Sequence, residues 1–193
     1  MEQQLYFVLG WGAPLAAAIF AFVLIRVINS HSPGTDLMQR IAALIRTGAM
    51  AFLRTEYTVL AGFVGVMFLV LIFFLPENSL MTAVCFLMGA LLSALAGWIG
   101  MWTATGAAVR TTFAATKGLA PALKVAFSSG AVMGLTVVAL GTSGIATLYY
   151  LLGGLSGNGP IAIEQLFGFS LGASSIALFA RVGGGIYTKA ADV

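Results

Sequence analysis

Charges in this chain are rare and far apart, and their spacing leaves few folds open. No charged residue falls between Glu2 and Arg26, between Glu56 and Glu77, between Glu77 and Arg110, or between Lys124 and Glu164. After Glu164 a further apolar run carries one charge, Arg181, before Lys189. A helix of roughly 20 apolar residues crosses the hydrocarbon core of a bilayer. Only 8% of the residues are charged and 60% are hydrophobic, against about 25% charged in soluble domains. In lipid every backbone polar group must find a partner inside the protein, which favours helices. The expected fold class is all-α integral membrane. The whole of residues 1–193 reads as a single polytopic membrane domain, with helices at about 5–28, 57–75, 80–104, 125–152 and 161–186.

Several function classes drop out at once. The basic residues form no dense run and alternate with no aromatic platforms, so no nucleic-acid partner is expected. One cysteine, Cys85, excludes an internal disulfide, and with a single His31 it gives no Cys/His metal site. Met1-Glu2-Gln3-Gln4 is acidic where a signal peptide is basic, and the apolar run behind it is long. The first helix therefore reads as a retained anchor. Gly153 to Pro160 is a flexible loop without the strand–turn–helix setting of a nucleotide-binding glycine motif.

Between the apolar runs the pattern changes. Thr35 or Asp36 is a helix cap after the turn Ser32-Pro33-Gly34. Leu37, Ile41, Leu44, Ile45 and Phe52 then recur at helical spacing with Arg40, Arg46 and Arg54 between them. This amphipathic helix either lies on the membrane surface, touching anionic lipid, or runs straight into the second crossing. Gly89, Ser93 and Gly97 stand four apart, a pattern that lets helix backbones approach closely in lipid. Gly130 and Gly134 repeat it. Gly118 and Pro121 form a helix-breaking pair.

All 9 Lys and Arg residues fall on one side of the expected membrane, whereas Glu2, Glu77 and Glu164 fall on the other. By the positive-inside rule the N-terminus is outside and five crossings later the chain reaches the cytoplasm. The expected location is the cell (inner) membrane.

Chemistry is concentrated in Gly168 to Val193. Arg181 is the one charge placed inside a helix. It lies about 12 Å from Lys189 if the helix continues at 1.5 Å per residue. Arg181 either snorkels to the interface or belongs to an ion path with a carboxylate partner. No partner carboxylate is expected in this chain at that depth. Lys189 donates to anionic oxygens, and Asp192 could hold a divalent cation such as Mg²⁺. The bland alternative is a solvated helix end with an ion pair. No catalytic set is assigned: there is no Ser/His/Asp arrangement and no Walker loop.

Arg181-Val-Gly-Gly-Gly-Ile-Tyr-Thr-Lys189-Ala-Ala-Asp192-Val193 resembles the fifth-helix and substrate-loop signature of the membrane-bound, ion-translocating inorganic pyrophosphatases. Ile41 to Tyr57 resembles that family's first cytoplasmic segment, and Gly118 to Leu135 its entry into helix 4. The resemblance implies a pump that hydrolyses inorganic pyrophosphate and moves H⁺ or Na⁺ out of the cytoplasm. It implies an N-terminal part of a bundle of about sixteen helices in two rings, working as a homodimer, with the chain continuing past Val193 to complete the site. Lys189 would be a pyrophosphate ligand. Asp192 would be the first carboxylate of the motif that binds magnesium pyrophosphate. Arg181 would belong to the ion path, paired with an acidic residue on the next helix. The fifth helix would stand in the inner ring and the first four in the outer ring. Ala190-Ala191 resembles the K⁺-stimulated branch. The other reading is a stand-alone, non-enzymatic five-helix membrane subunit in which Arg181 and Lys189 anchor a helix end.

Overall fold

The computed structural model describes residue 6, residues 8–75 and residues 78–191. A short π-helical start, Val8–Gly12, leads into α1 (Ala13–Ser30). Then come α2 (Asp36–Phe74), α3 (Ser79–Ala115), α4 (Leu119–Leu151) and, after a 3₁₀ turn at Gly154–Ser156, α5 (Gly159–Ala191). Five helices are long and apolar enough to cross a membrane. Large apolar side chains point outward: Phe74 is 81% exposed and Phe127 is 74% exposed. Surfaces of that kind require lipid rather than water around them. This is a multi-pass, all-α membrane protein.

The helices are longer than the apolar runs that announce them. The amphipathic segment does not form a separate surface helix, and α2 begins at Asp36 rather than near Tyr57. Thr35 caps it, its hydroxyl accepting from the Met38 N–H at 3.4 Å. The 39 residues of α2 span about 58 Å at 1.5 Å per residue, nearly twice the bilayer core of about 30 Å. Likewise α3 runs to Ala115, α4 starts at Leu119 and α5 reaches Ala191. Hydropathy marks where lipid begins, whereas Ala-, Leu- and Arg-rich sequence keeps helical propensity beyond that boundary. Gly118 does break the chain: its φ of 133° lies outside the range other residues adopt easily. Pro121 sits in the first turn of α4, where a missing N–H leaves no bond unmade.

The packing has a hub. α3 packs against α5, α4 and α2, whereas α1 packs mainly on α4. Contact between α3 and α5 is backbone to backbone. A Cβ added to Gly89 would collide with the Phe169 carbonyl, one on Gly168 with that of Thr82, and one on Gly172 with that of Phe86. Ser93 Oγ donates to the Ala173 carbonyl at 3.1 Å in the same seam. The expected small-residue stripe on α3 therefore meets its counterpart on α5, as close packing in lipid demands. Gly97 faces the Tyr57 hydroxyl instead. Gly130 and Gly134 do not repeat the pattern within the described residues: nothing lies within 4 Å of a Cβ at either. The close approach on α4 comes at Gly144, against Leu92 and Phe169. Cys85 is buried, 1% exposed, beside Leu148 and Phe169.

Three contacts gather the basic ends of the helices. Arg110 Nε donates to the His31 carbonyl at 3.2 Å, joining α3 to the end of α1. Phe52 of α2 stacks on Tyr187 of α5, and Thr116 to Gly118 turn α3 into α4. At the opposite end Tyr6, Trp11, Tyr149 and Tyr150 border one cavity, a cluster of interfacial aromatics.

Candidate functional site at the end of the last helix

Gly183, Gly184 and Gly185 do not interrupt α5, which stays helical through Ala191. Each glycine costs a helix about 1 kcal/mol relative to alanine, so the neighbours must compensate. They come from α2, which runs antiparallel alongside. Phe63 meets Phe179 edge to face at 4.9 Å, and Phe52 stacks on Tyr187 at 4.8 Å and 27°. Aromatic pairs of this kind contribute about 0.5–1.5 kcal/mol beyond their burial. The Tyr187 hydroxyl lies against Gly48, where a Cβ would stand 3.3 Å from it.

Between those two aromatic pairs sits Glu56. A Cβ on Gly183 would lie 2.5 Å from Glu56 Oε1. That oxygen is buried and has no hydrogen-bond partner among the described residues. A carboxylate thus occupies the space that the missing Gly183 side chain leaves. Gly183 is two residues beyond Arg181, about 3 Å along the helix axis. The expectation of no carboxylate near that depth is corrected here. The sequence left the segment ending at Glu56 either on the membrane surface or continuous with the second crossing, and it is the single helix Asp36–Phe74 that brings Glu56 to α5.

Arg181 is exposed and lies inside α5. It borders an open cleft of about 480 Å³ together with Tyr57, Ser93, Gly97, Ala177 and Ala180. Tyr57 is held there by its hydroxyl, which donates to the Ala94 carbonyl at 2.6 Å. The cleft is largely apolar; its polar lining is Tyr57, Ser93 and Arg181, of which only Arg181 carries a charge. Lys189 is exposed in the last turn of α5. Eight residues of continuous helix place it about 12 Å along the axis from Arg181. Asp192 lies outside the described residues. Among the described residues no group of three His, Cys, Asp or Glu side chains could hold a metal ion.

Long apolar helices, close glycine packing and a last helix that carries Arg181 and Lys189 define a helical membrane protein. Residues 15–193 match the family described as inorganic H⁺ pyrophosphatase. A putative K⁺-stimulated pyrophosphate-energised sodium pump of Clostridium tetani is 52% identical over 94% of this chain and 25% of its own length. A K⁺-insensitive pyrophosphate-energised proton pump of Methanosarcina mazei is 44% identical over 94% of this chain and 26% of its own. The chain belongs to the inorganic H⁺ pyrophosphatase family, as its C-terminal motif implies. It spans about a quarter of the length of these relatives.

Proposed function

We propose that the intact protein is a pyrophosphate-energised ion pump that hydrolyses inorganic pyrophosphate and moves H⁺ or Na⁺ out of the cytoplasm. One observation carries this reading. A single unbroken helix bears Arg181 beside a largely apolar cleft and Lys189 about 12 Å further along, in its last turn. In that arrangement Lys189 binds a pyrophosphate oxygen and Arg181 belongs to the ion path below it. Asp192 contributes a carboxylate for Mg²⁺, which when bound neutralises charge on the leaving phosphate. K⁺ modulation belongs to the same proposal, since relatives are named for K⁺ stimulation or K⁺ insensitivity. So do a homodimer, a place in the cell (inner) membrane with the N-terminus outside, and a cytoplasmic substrate site. The gathering of basic loops at one end of the bundle fits that orientation.

The test is Lys189→Ala in the intact protein, assayed in inverted membrane vesicles. Pyrophosphate hydrolysis and pyrophosphate-driven ion uptake are both expected to fall to background while membrane content stays unchanged. Unchanged hydrolysis would remove Lys189 from the substrate site.

A further inference from the structure

Away from α5, the ends of α1, α2 and α3 enclose a cavity of about 100 Å³. Its polar lining is Asn29, Arg46, Thr103 and Arg110, with Trp102 and Gly106 beside them. No Asp or Glu borders it. Arg110 is fixed in place: Nε donates to the His31 carbonyl at 3.2 Å and Nη1 to that of Gly106 at 2.7 Å. A guanidinium has five N–H donors, so most of this one remains available. Arg46 lies over the Trp102 ring, 5.4 Å from its centre, which holds the second guanidinium at the same wall. Both arginines are half-buried. Two partly desolvated cations facing one small space without a carboxylate repel each other, and an anion between them relieves that repulsion.

The second observation is Thr103. It is 4% exposed, and its Oγ1 is buried without a hydrogen-bond partner. Its neighbours on α3 behave otherwise. Thr105, Thr111 and Thr112 donate to the Met101, Ala107 and Ala108 carbonyls one turn back, at 2.8, 3.0 and 3.0 Å. The Thr103 side chain lines the cavity, and a buried hydroxyl without a partner is costly, so a turn about its χ1 that brings the hydroxyl to an acceptor in the cavity is favoured. Thr103, Gly106 and Arg110 share one face of α3, and the absence of a side chain at Gly106 leaves that face open.

We infer that this cavity is an oxyanion site for a single phosphate group, gripped by Arg46 and Arg110 and receiving a hydrogen bond from the Thr103 hydroxyl. Its volume is well below the roughly 300 Å³ at which drug-sized ligands begin, which excludes a nucleotide. The phosphate is either the headgroup of an anionic lipid or dissolved inorganic phosphate. A solvated basic face touching lipid is a different thing: it needs neither a walled cavity nor an orphaned hydroxyl. The site lies on α1 to α3 and does not depend on the pumping assignment.

Two arms test it on the intact purified protein. In nanodiscs mixing phosphatidylglycerol with phosphatidylcholine, native mass spectrometry reads which lipid stays bound. In lipid-free detergent, equilibrium dialysis with radiolabelled phosphate reads the dissolved anion. Thr103→Val keeps the shape of the side chain and is expected to weaken binding at least tenfold in one arm. Loss of phosphatidylglycerol retention assigns a lipid headgroup, and loss of phosphate binding assigns the dissolved ion. Arg46→Gln, which removes a charge near the helix surface, gives the same loss and serves if Thr103→Val fails to accumulate. Binding in both arms that neither substitution weakens would overturn the site, as would no binding in either arm.

Discussion

Alanine at Gly183 is the sharpest test of the α2–α5 seam, because two effects of opposite sign compete there. In an isolated helix Gly→Ala stabilises by about 1 kcal/mol. Here the new Cβ would stand 2.5 Å from Glu56 Oε1 and 3.4 Å from Phe52 Cζ. The first distance is about 1 Å short of ordinary contact. Glu56 is half-buried and falls between Phe52 and Phe63, which pair with Tyr187 and Phe179, so the clash is relieved either by turning its carboxylate aside or by moving α5. The second route is the one expected: a shift of the end of α5 by about 1 Å, the shortfall just given, carries Lys189, six residues on, with it. A misplacement of that size costs a catalytic arrangement up to about 10²-fold. Pyrophosphate hydrolysis by the intact protein is therefore expected to fall about 10- to 100-fold, equivalent to about 1.4–2.7 kcal/mol. The assay is phosphate release per unit of the intact protein in membrane vesicles. Adding Glu56→Ala removes the obstructing oxygen and is expected to restore part of the rate. A Gly183→Ala protein that melts higher than the parent and hydrolyses at the full rate would refute the argument.

Two further predictions concern the scaffold. Gly172→Val drives a branched side chain into the Phe86 carbonyl. It should cost about 1–3 kcal/mol, read as a lowered melting temperature in detergent; an unchanged melt would mean that α3 and α5 do not touch there. Tyr57→Phe deletes the bond to the Ala94 carbonyl and should cost about 0.5–1.5 kcal/mol in the same measurement, whereas a melt equal to that of the parent would show the bond to be dispensable.

The number and order of the crossings were legible because charge-free stretches report where lipid must be. Helix ends were not, because Asp36 to Glu56 and Thr105 to Ala115 are helical yet carry charged and polar residues, and hydropathy reports solvent preference rather than backbone. The stripe Gly89, Ser93, Gly97 was readable as a packing surface. Its partner was not, since Gly168 and Gly172 look no different in sequence from Gly130 and Gly134. Only the neighbour's position separates a glycine that admits a backbone from one that meets open space. In the candidate site, Arg181 and Lys189 were singled out by residue type and spacing, and what the structure adds is that one continuous helix carries both. Glu56 was missed because its role depends on the direction of a helix that begins twenty residues earlier. The Arg46–Thr103–Arg110 cavity joins three helices and has no local signature.

The hub position of α3 also sets a timetable. α1 leaves the ribosome first, yet its main neighbour is α4. Ser30 and Leu119 are about 90 residues apart, so at about 5–20 residues per second α1 waits roughly 5–18 s for its partner. During that interval lipid covers the face that α4 will later take. Its outward Phe20, Phe22 and Val23 suit that solitary residence. α2, by contrast, meets α3 as soon as the next hairpin enters, and the first lasting helix pair of this membrane protein forms without its first helix.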